Sequence, residues 1–363
     1  MSGVSGVTAD LDVRPASLTL HRVRLTLEVP HRAAHGTVSD RDLILVQWTN
    51  ASGVVGWGEC PALSAPTYVP ETTDVAWAAL RDRWCPAAMV GGLDPMPPSM
   101  ATASLADARF DAGLRTRGAS AAGVVGESLS TSPSATVAMC QVIDLGVDLD
   151  ALVIEPGVTM VKAKVTPESI ERVRVLAERL AGPMTCALDA NGSFGGASDV
   201  PPWVDDLGLM FIEQPYAVGN EGAASELRRR GLAVAWDESV NGRARLLTLI
   251  DDSLCDVVSI KPSRVGGVVT ACSVALLASE RELPWFVGGM LEGGIGRAAA
   301  LAMAASSSLP TDLGPSVRYF REDICEPVVA HESGLVVPGG AGWGRVPDAD
   351  RLAATTVDQL TWE

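Results

Sequence analysis

Five charged residues recur at a nearly constant beat through the middle of the chain. Lys164 and Asp189 are 25 positions apart, and Asp189, Glu213, Asp237 and Lys261 then follow one another at 24. Each closes a short apolar run, as in Leu188-Asp189, Phe211-Ile-Glu213, Val234-Ala-Trp-Asp237 and Val258-Ser-Ile-Lys261. Three carboxylates gathered at one place repel one another unless a cation sits between them. An all-oxygen donor set suits a hard ion, Mg2+ first and Mn2+ as the alternative. Lys162 and Lys164, at i and i+2, share one side of a strand. Two ammonium groups side by side lower each other's pKa, which turns a lysine into a usable base near neutral pH. Lys261 would stand across from them. A small-molecule carboxylate held at the cation would then have a lysine on each face of its α-carbon, an arrangement for removing the proton next to a carboxylate.

These residues need a scaffold that repeats every 24 residues or so. After Pro133 short apolar runs alternate with helical patterns. The strand candidates are Thr136–Ile143, Met160–Val165, Met184–Ala190, Leu209–Glu213, Ala233–Asp237, Val257–Lys261 and Trp285–Met290, with helices at Pro167–Leu180 and Val268–Arg281 among those between them. Strand followed by helix implies parallel pairing with crossovers. About seven such units predict a closed α/β barrel of modified TIM type, (β/α)7β, with its chemistry at the C-terminal strand ends. The first third reads differently: strand patterns from Leu18 to Glu59, then helical ones from Thr72 to about Gly126, broken at Gly91–Pro98. The predicted organisation is a loose tail at 1–15, an α+β capping domain at 16–130 to which 326–363 returns, and the barrel at 131–325.

Composition limits the function classes. Of 363 residues 47% are hydrophobic, and the net charge is −16. That acidity argues against nucleic-acid binding. No run approaches the roughly 20 apolar residues that span a bilayer, and Met1–Asp10 lacks the basic start and apolar stretch of a signal peptide. Seven cysteines without a CxxC pair read as free thiols in a reducing cytoplasm. His21, His31, His35 and His331 all lie outside the barrel segment, which weakens histidine-based metal or nucleophile readings. Gly294-Ile-Gly-Arg-Ala-Ala299 is a poor dinucleotide fingerprint and reads better as a turn into a helix N-terminus.

The motifs taken in order resemble the enolase superfamily, muconate-lactonizing subgroup, and most of all its o-succinylbenzoate synthase / N-acylamino acid racemase family. They are Val161-Lys-Ala-Lys-Val165, Leu188-Asp-Ala-Asn-Gly192, Phe211-Ile-Glu-Gln-Pro215, Trp236-Asp-Glu-Ser239, Ile260-Lys-Pro-Ser-Arg-Val-Gly-Gly267 and Gly288-Gly-Met-Leu-Glu-Gly-Gly-Ile-Gly-Arg-Ala298. Gly56-Trp-Gly-Glu-Cys-Pro61 and Ala65-Pro-Thr-Tyr-Val-Pro-Glu-Thr72 resemble the family's capping domain.

The resemblance implies Asp189, Glu213 and Asp237 as Mg2+ ligands and Lys164 with Lys261 as the acid/base pair. It implies that Lys162 supports Lys164 and the substrate carboxylate. Asn191, Glu238, Arg264, Gly289, Met290, Glu292 and Tyr68 would touch the substrate or back the metal acids, with Gly36, Thr37 and Tyr68 on a loop over the pocket. The implied reaction is first dehydration to o-succinylbenzoate in menaquinone biosynthesis, by a lyase that is often oligomeric. N-acylamino acid (N-succinylamino acid) racemization comes second, and dipeptide epimerization or cycloisomerization after that; Arg264 occurs in members that racemize. A barrel that only binds an acidic metabolite is the reading outside catalysis. Gly293, Trp236 and Gly192-Ser-Phe194 depart from the family's usual residues beside the motifs, which bears on substrate preference.

Overall fold

The computed structural model describes residues 14–33, 36–93, 96–180 and 184–363. The predicted tail falls almost wholly outside these residues, and of Gly36 and Thr37 only the backbone is described.

The chain opens on three antiparallel strands, β1 (Ser17–Ala33), β2 (Gly36–Thr49) and β3 (Val55–Cys60). Leu43, Ile44, Leu45 and Val46 of β2 are all fully buried, because both faces of this sheet are covered. Leu43 and Leu45 join Val23 and Leu25 in the core shared with the barrel. Ile44, Val46 and Trp48 pack with Leu18 and Leu20 against the helices of the cap. Those helices are α1 (Thr73–Ala79), continued by a π-helical turn (Leu80–Trp84) into α2 (Cys85–Met89), then α3 (Met100–Arg117) and α4 (Ala121–Leu129). Helix α3 starts at a capping box formed by Ser99 and Thr102 and stops at left-handed Gly118. It crosses β3 at backbone contact. A Cβ at Gly58 would lie 1.9 Å from the Ser104 carbonyl oxygen, and one at Gly56 would lie 2.2 Å from the Ala112 nitrogen. The Gly-Trp-Gly spacing thus records a helix pressed onto a strand.

A two-residue strand β4 (Thr136–Val137) leads into the barrel. Its strands are β5 (Met139–Asp144), β6 (Val158–Lys164), β7 (Thr185–Asp189), β8 (Ile212–Glu213), β9 (Val234–Trp236), β10 (Val257–Ile260) and β11 (Trp285–Val287). They form one parallel seven-stranded sheet in sequence order. The crossover helices include α5 (Arg172–Arg179), α6 (Ala224–Arg229), α7 (Arg243–Asp251), the one-turn α8 (Pro262–Val265), α9 (Val268–Glu280) and α10 (Gly294–Ala304). The eighth position is filled by residues 308–312. Thr311 bridges Met139 in parallel. Cys140 N donates to the Thr311 carbonyl at 2.6 Å, and Ser308 N and Leu309 N donate to the Trp285 carbonyl. The fold is an α/β TIM-type barrel with an α+β cap.

The C-terminal segment returns in two steps. Strands β12 (Ala330–His331) and β13 (Gly334–Val336) form a small sheet with β4, and after α11 (Ala349–Thr355) strand β14 (Thr356–Trp362) pairs antiparallel with β1. Among the described residues no helix is long and apolar enough to cross a membrane. All seven cysteines are free, six of them buried.

Buried acids of the cap meet the N-termini of barrel helices. Glu59 of β3 accepts Gly293 N and Gly296 N at the start of α10, at 2.7 and 2.8 Å. Asp107 of α3 accepts Val268 N at the start of α9 at 2.8 Å. Helix N-termini attract negative charge, yet burial still pushes both carboxyls up to about 7. Arg41 adds a third tie: its guanidinium donates to the carbonyls of Pro61, Ala62 and Met290, joining the cap to a barrel loop.

Gly58→Ala forces its new methyl into the backbone of α3. It is expected to destabilise the fold by about 3 kcal/mol or more, read as a fall in the urea midpoint. A carboxyl whose folded pKa lies above its unfolded value contributes most below the unfolded value and loses that contribution as pH rises through the folded one. For Asp107 the loss runs up through about pH 7. Wild-type stability should therefore decline across this range, and Asp107→Asn should flatten the decline by on the order of 2 kcal/mol, measured by urea unfolding at several pH values.

Candidate active site

Successive side chains alternate across a strand, so a barrel interior is built in layers. Cys140, Met160, Ala187, Phe211, Ala235, Val257 and Phe286 form an apolar cluster separate from the outer core. Two residues further along each strand come Val142, Lys162, Asp189, Glu213, Asp237, Ser259 and Gly288. Two further again come Lys164, Asn191 and Lys261. The 24-residue beat is this layering seen along the chain: an apolar floor, a charged storey on it, and a second storey at the mouth. Lys162 Nζ sits 5.4 Å above the ring of Phe286, on the floor itself.

The bases of the charged storey pair with its acids. Lys162 Nζ lies 2.5 Å from Glu213 Oε2, 2.9 Å from Asp312 Oδ2 and 3.7 Å from Asp189 Oδ2. Lys261 Nζ is 2.9 Å from Asp237 Oδ2, while the buried guanidinium of Arg264 donates to Asp237 Oδ1 and, at 2.7 Å, to the Asp237 carbonyl. Burial opposes the charge on both lysines, but the acids outweigh it and raise them above their ordinary values. The downward pull expected between Lys162 and Lys164 is therefore not what governs Lys162. Lys164 is placed differently. Its Nζ donates to the Tyr68 hydroxyl at 3.4 Å, and among the described residues no carboxylate stands within ion-pair range of it.

A cavity of about 400 Å³ opens above this arrangement. The barrel contributes Lys162, Lys164, Asp189, Asn191, Lys261, Gly289, Met290, Glu292 and Asp312, and the cap contributes Leu27, Arg41 and the loop from Leu63 to Tyr68. That loop is pinched shut by the Leu63–Thr72 bridge. Of the sequence-predicted residues, Glu213, Asp237, Glu238 and Arg264 lie below the cavity surface; Glu238 and Arg264 sit behind the acids. Arg264 belongs to the short helix α8. The three departures flank the cavity without lining it. Trp236 points outward and donates to the Leu254 carbonyl at 2.7 Å. A side chain at Gly293 would meet Leu43 and Glu59.

Residues 145–351 match the Enolase C-terminal domain-like family, and residues 16–95 match the Mandelate racemase / muconate lactonizing enzyme, N-terminal domain family. The chain belongs to the enolase superfamily. It is 32% identical to an N-succinylamino acid racemase from Amycolatopsis sp, across 95% of this chain and 98% of that one. It is 30% identical to an o-succinylbenzoate synthase from Bacillus subtilis, across 88% and 90%. A probable mandelate racemase of known structure from Alicyclobacillus acidocaldarius superposes with a TM-score of 0.83 at 31% identity, covering 95% of this chain and 98% of that one.

In this enolase superfamily member the residues present fit a divalent cation. Asp189 and Glu213 are direct register partners on β7 and β8, and Asp237 follows β9 on the next strand. All three side chains are buried and offer only oxygen. Burial, with repulsion from Asp189, Asp237 and Asp312, outweighs Lys162 and pushes Glu213 up to about 8. Among the described residues neither buried carboxylate oxygen of Glu238 has a hydrogen-bond partner, and burial beside Asp237 pushes that acid to about 7. These acids are short of positive charge. Among the described residues no three acids already surround one point: Lys162 lies between Asp189 and Glu213, and Lys261 with Arg264 holds Asp237.

Sequence reasoning missed three contributors. Asp312 follows the single bridge that closes the barrel and accepts Gly289 N at 2.6 Å, 23 positions away; this near repeat of the 24-residue beat was its one signal. Gln214, left-handed at φ 39°, accepts Asp237 N and Ser239 N through Oε1, which fixes the turn that presents Asp237. Ser259 donates to Asp237 Oδ1 at 3.3 Å.

Mg2+ is expected to raise the melting temperature, and Glu213→Gln to abolish the rise. A cation competes with the proton on Glu213. Its affinity should therefore weaken as pH falls below about 8, by up to roughly tenfold per pH unit, as read by calorimetric titration.

Proposed function

We propose that the protein is a Mg2+-dependent o-succinylbenzoate synthase, a dehydratase that begins by removing the α-proton of a carboxylate substrate. The observation that carries this reading is the unequal setting of the two lysines at the cavity. Among the described residues no acid stands within ion-pair range of Lys164, so using it as a base breaks no ion pair. Lys261 is ion-paired to Asp237 and stays a cation.

Asp189, Glu213 and Asp237 would hold Mg2+, which supplies the positive charge that acidifies the proton next to the bound carboxylate. Lys162 orients that carboxylate with its ammonium. Lys164 takes the α-proton, leaving the electron pair in an enediolate, and then returns the proton to the departing hydroxide as water forms. Lys261 faces the intermediate from the other wall and stabilises its charge. The loop carrying Tyr68 covers Lys164 and excludes water.

A second reading, racemization of N-succinylamino acids, is favoured by Arg264. It shares Asp237 with Lys261, and its charge opposes that of the lysine. With Asp237 drawn away, Lys261 can deliver a proton to the opposite face. Relatives of comparable identity carry each of the two names.

Assays on the cyclohexadiene alcohol precursor of o-succinylbenzoate and on N-succinyl amino acids test both readings. Lys164→Ala should reduce dehydration by about 10³-fold or more. Lys261→Arg, which keeps the charge but cannot shuttle a proton, should retain dehydration within about tenfold of wild type and lose racemization. Dehydration lost in Lys261→Arg while Lys164→Ala stays active would overturn the assignment.

A further inference from the structure

We propose that Asp312 is a positioning residue: a dedicated counter-ion that keeps Lys162 aimed at the substrate carboxylate and leaves Asp189 and Glu213 free for the metal. The proposal rests on the function above for its effect on turnover, but not for its effect on cation binding.

Lys162 is almost wholly buried and touches three acids. Two of them, Asp189 and Glu213, belong to the set that fits a cation. Once their charge is shared with a dication, a buried ammonium beside it would lack compensation. Asp312 is the acid that remains. It reaches Lys162 from the segment that closes the barrel, a different wall from β7 and β8. Its two oxygens have separate duties: Oδ2 takes Lys162 Nζ at 2.9 Å, and Oδ1 accepts Gly289 N at 2.6 Å. The second bond fixes the start of the cavity-lining loop, where Glu292 then accepts Met290 N at 2.7 Å. Burial alone would raise the Asp312 carboxyl, but Lys162 and Lys261 hold it below its ordinary value, so it stays charged.

The test is a cycle of Mg2+ titrations by calorimetry on wild type, Asp312→Asn, Lys162→Met and the double variant. In Asp312→Asn the ammonium has only Asp189 and Glu213 to pair with and competes with the cation. Mg2+ affinity should fall by about tenfold or more. The double variant removes that competitor and should return to within about threefold of wild type, a rescue that a merely structural role would not give. With substrate, Asp312→Asn should raise KM more than it lowers kcat. Asp312→Asn failing to fold while the double variant folds would also support the counter-ion, since only the unpaired lysine differs. Unchanged affinity in Asp312→Asn, or a double variant no better than the single, overturns the assignment. A wild type that binds Mg2+ but turns over neither substrate class overturns the proposed reaction alone, and one that binds no Mg2+ overturns both.

Discussion

A barrel interior is a poor place for charge, and this one holds five acids and three bases in or just behind one storey above an apolar floor. Asp189, Glu213, Asp237, Glu238 and Asp312 face Lys162, Lys261 and Arg264. Such a cluster persists only where most of its charges are paired at short range, and the acids left over are the ones a cation would satisfy. Its pairings follow from where the strands end. Lys162 is ringed by three acids from three strand positions, and Asp237 is gripped from two sides. The strand ends cannot shift by one residue without turning each of these groups toward the outer helices. Strand register and charge balance are thus one constraint.

The cap is subject to that constraint at one remove. It places little of its own chemistry at the charged storey, only the loop bearing Tyr68. What it does is hold the barrel's mouth. Glu59 and Arg41 meet the loop running from Gly289 to Gly296, which lines the cavity and is held at its start by Asp312. A cap residue more than two hundred positions away in sequence is thereby connected, through backbone amides, to the counter-ion of Lys162.

Much of this was legible in the sequence because it is periodic. Alternation within a strand and repetition between strands placed Lys162, Lys164, Asp189, Glu213, Asp237 and Lys261 together before any coordinates. From β7 to β11 the strands are one to three residues shorter than the predicted runs, whereas β6 begins two residues before its run. What escaped lies outside the strand pattern. Asp312 follows one isolated bridge rather than a strand, so no apolar run announces it. The partners of Glu59 and Asp107 are backbone amides, which no residue type encodes. The expected lowering of Lys162 gives way to the acids around it, because two lysines at i and i+2 share a side but not a depth. One is buried among acids, and the other stands at the mouth.

The pairing of β14 with β1 has a consequence for synthesis. The outer edge of the cap sheet is completed by residues 356–362, at the far end of the chain from the strand they protect. On the ribosome, β1 emerges first and can find β2 within a short hairpin, but its other edge remains open until the whole barrel has been translated. Through that interval the nascent chain presents an unpaired strand edge able to pair with a neighbouring copy. The exposure of that edge thus depends on how fast the chain is elongated, and not on the stability of the finished fold alone.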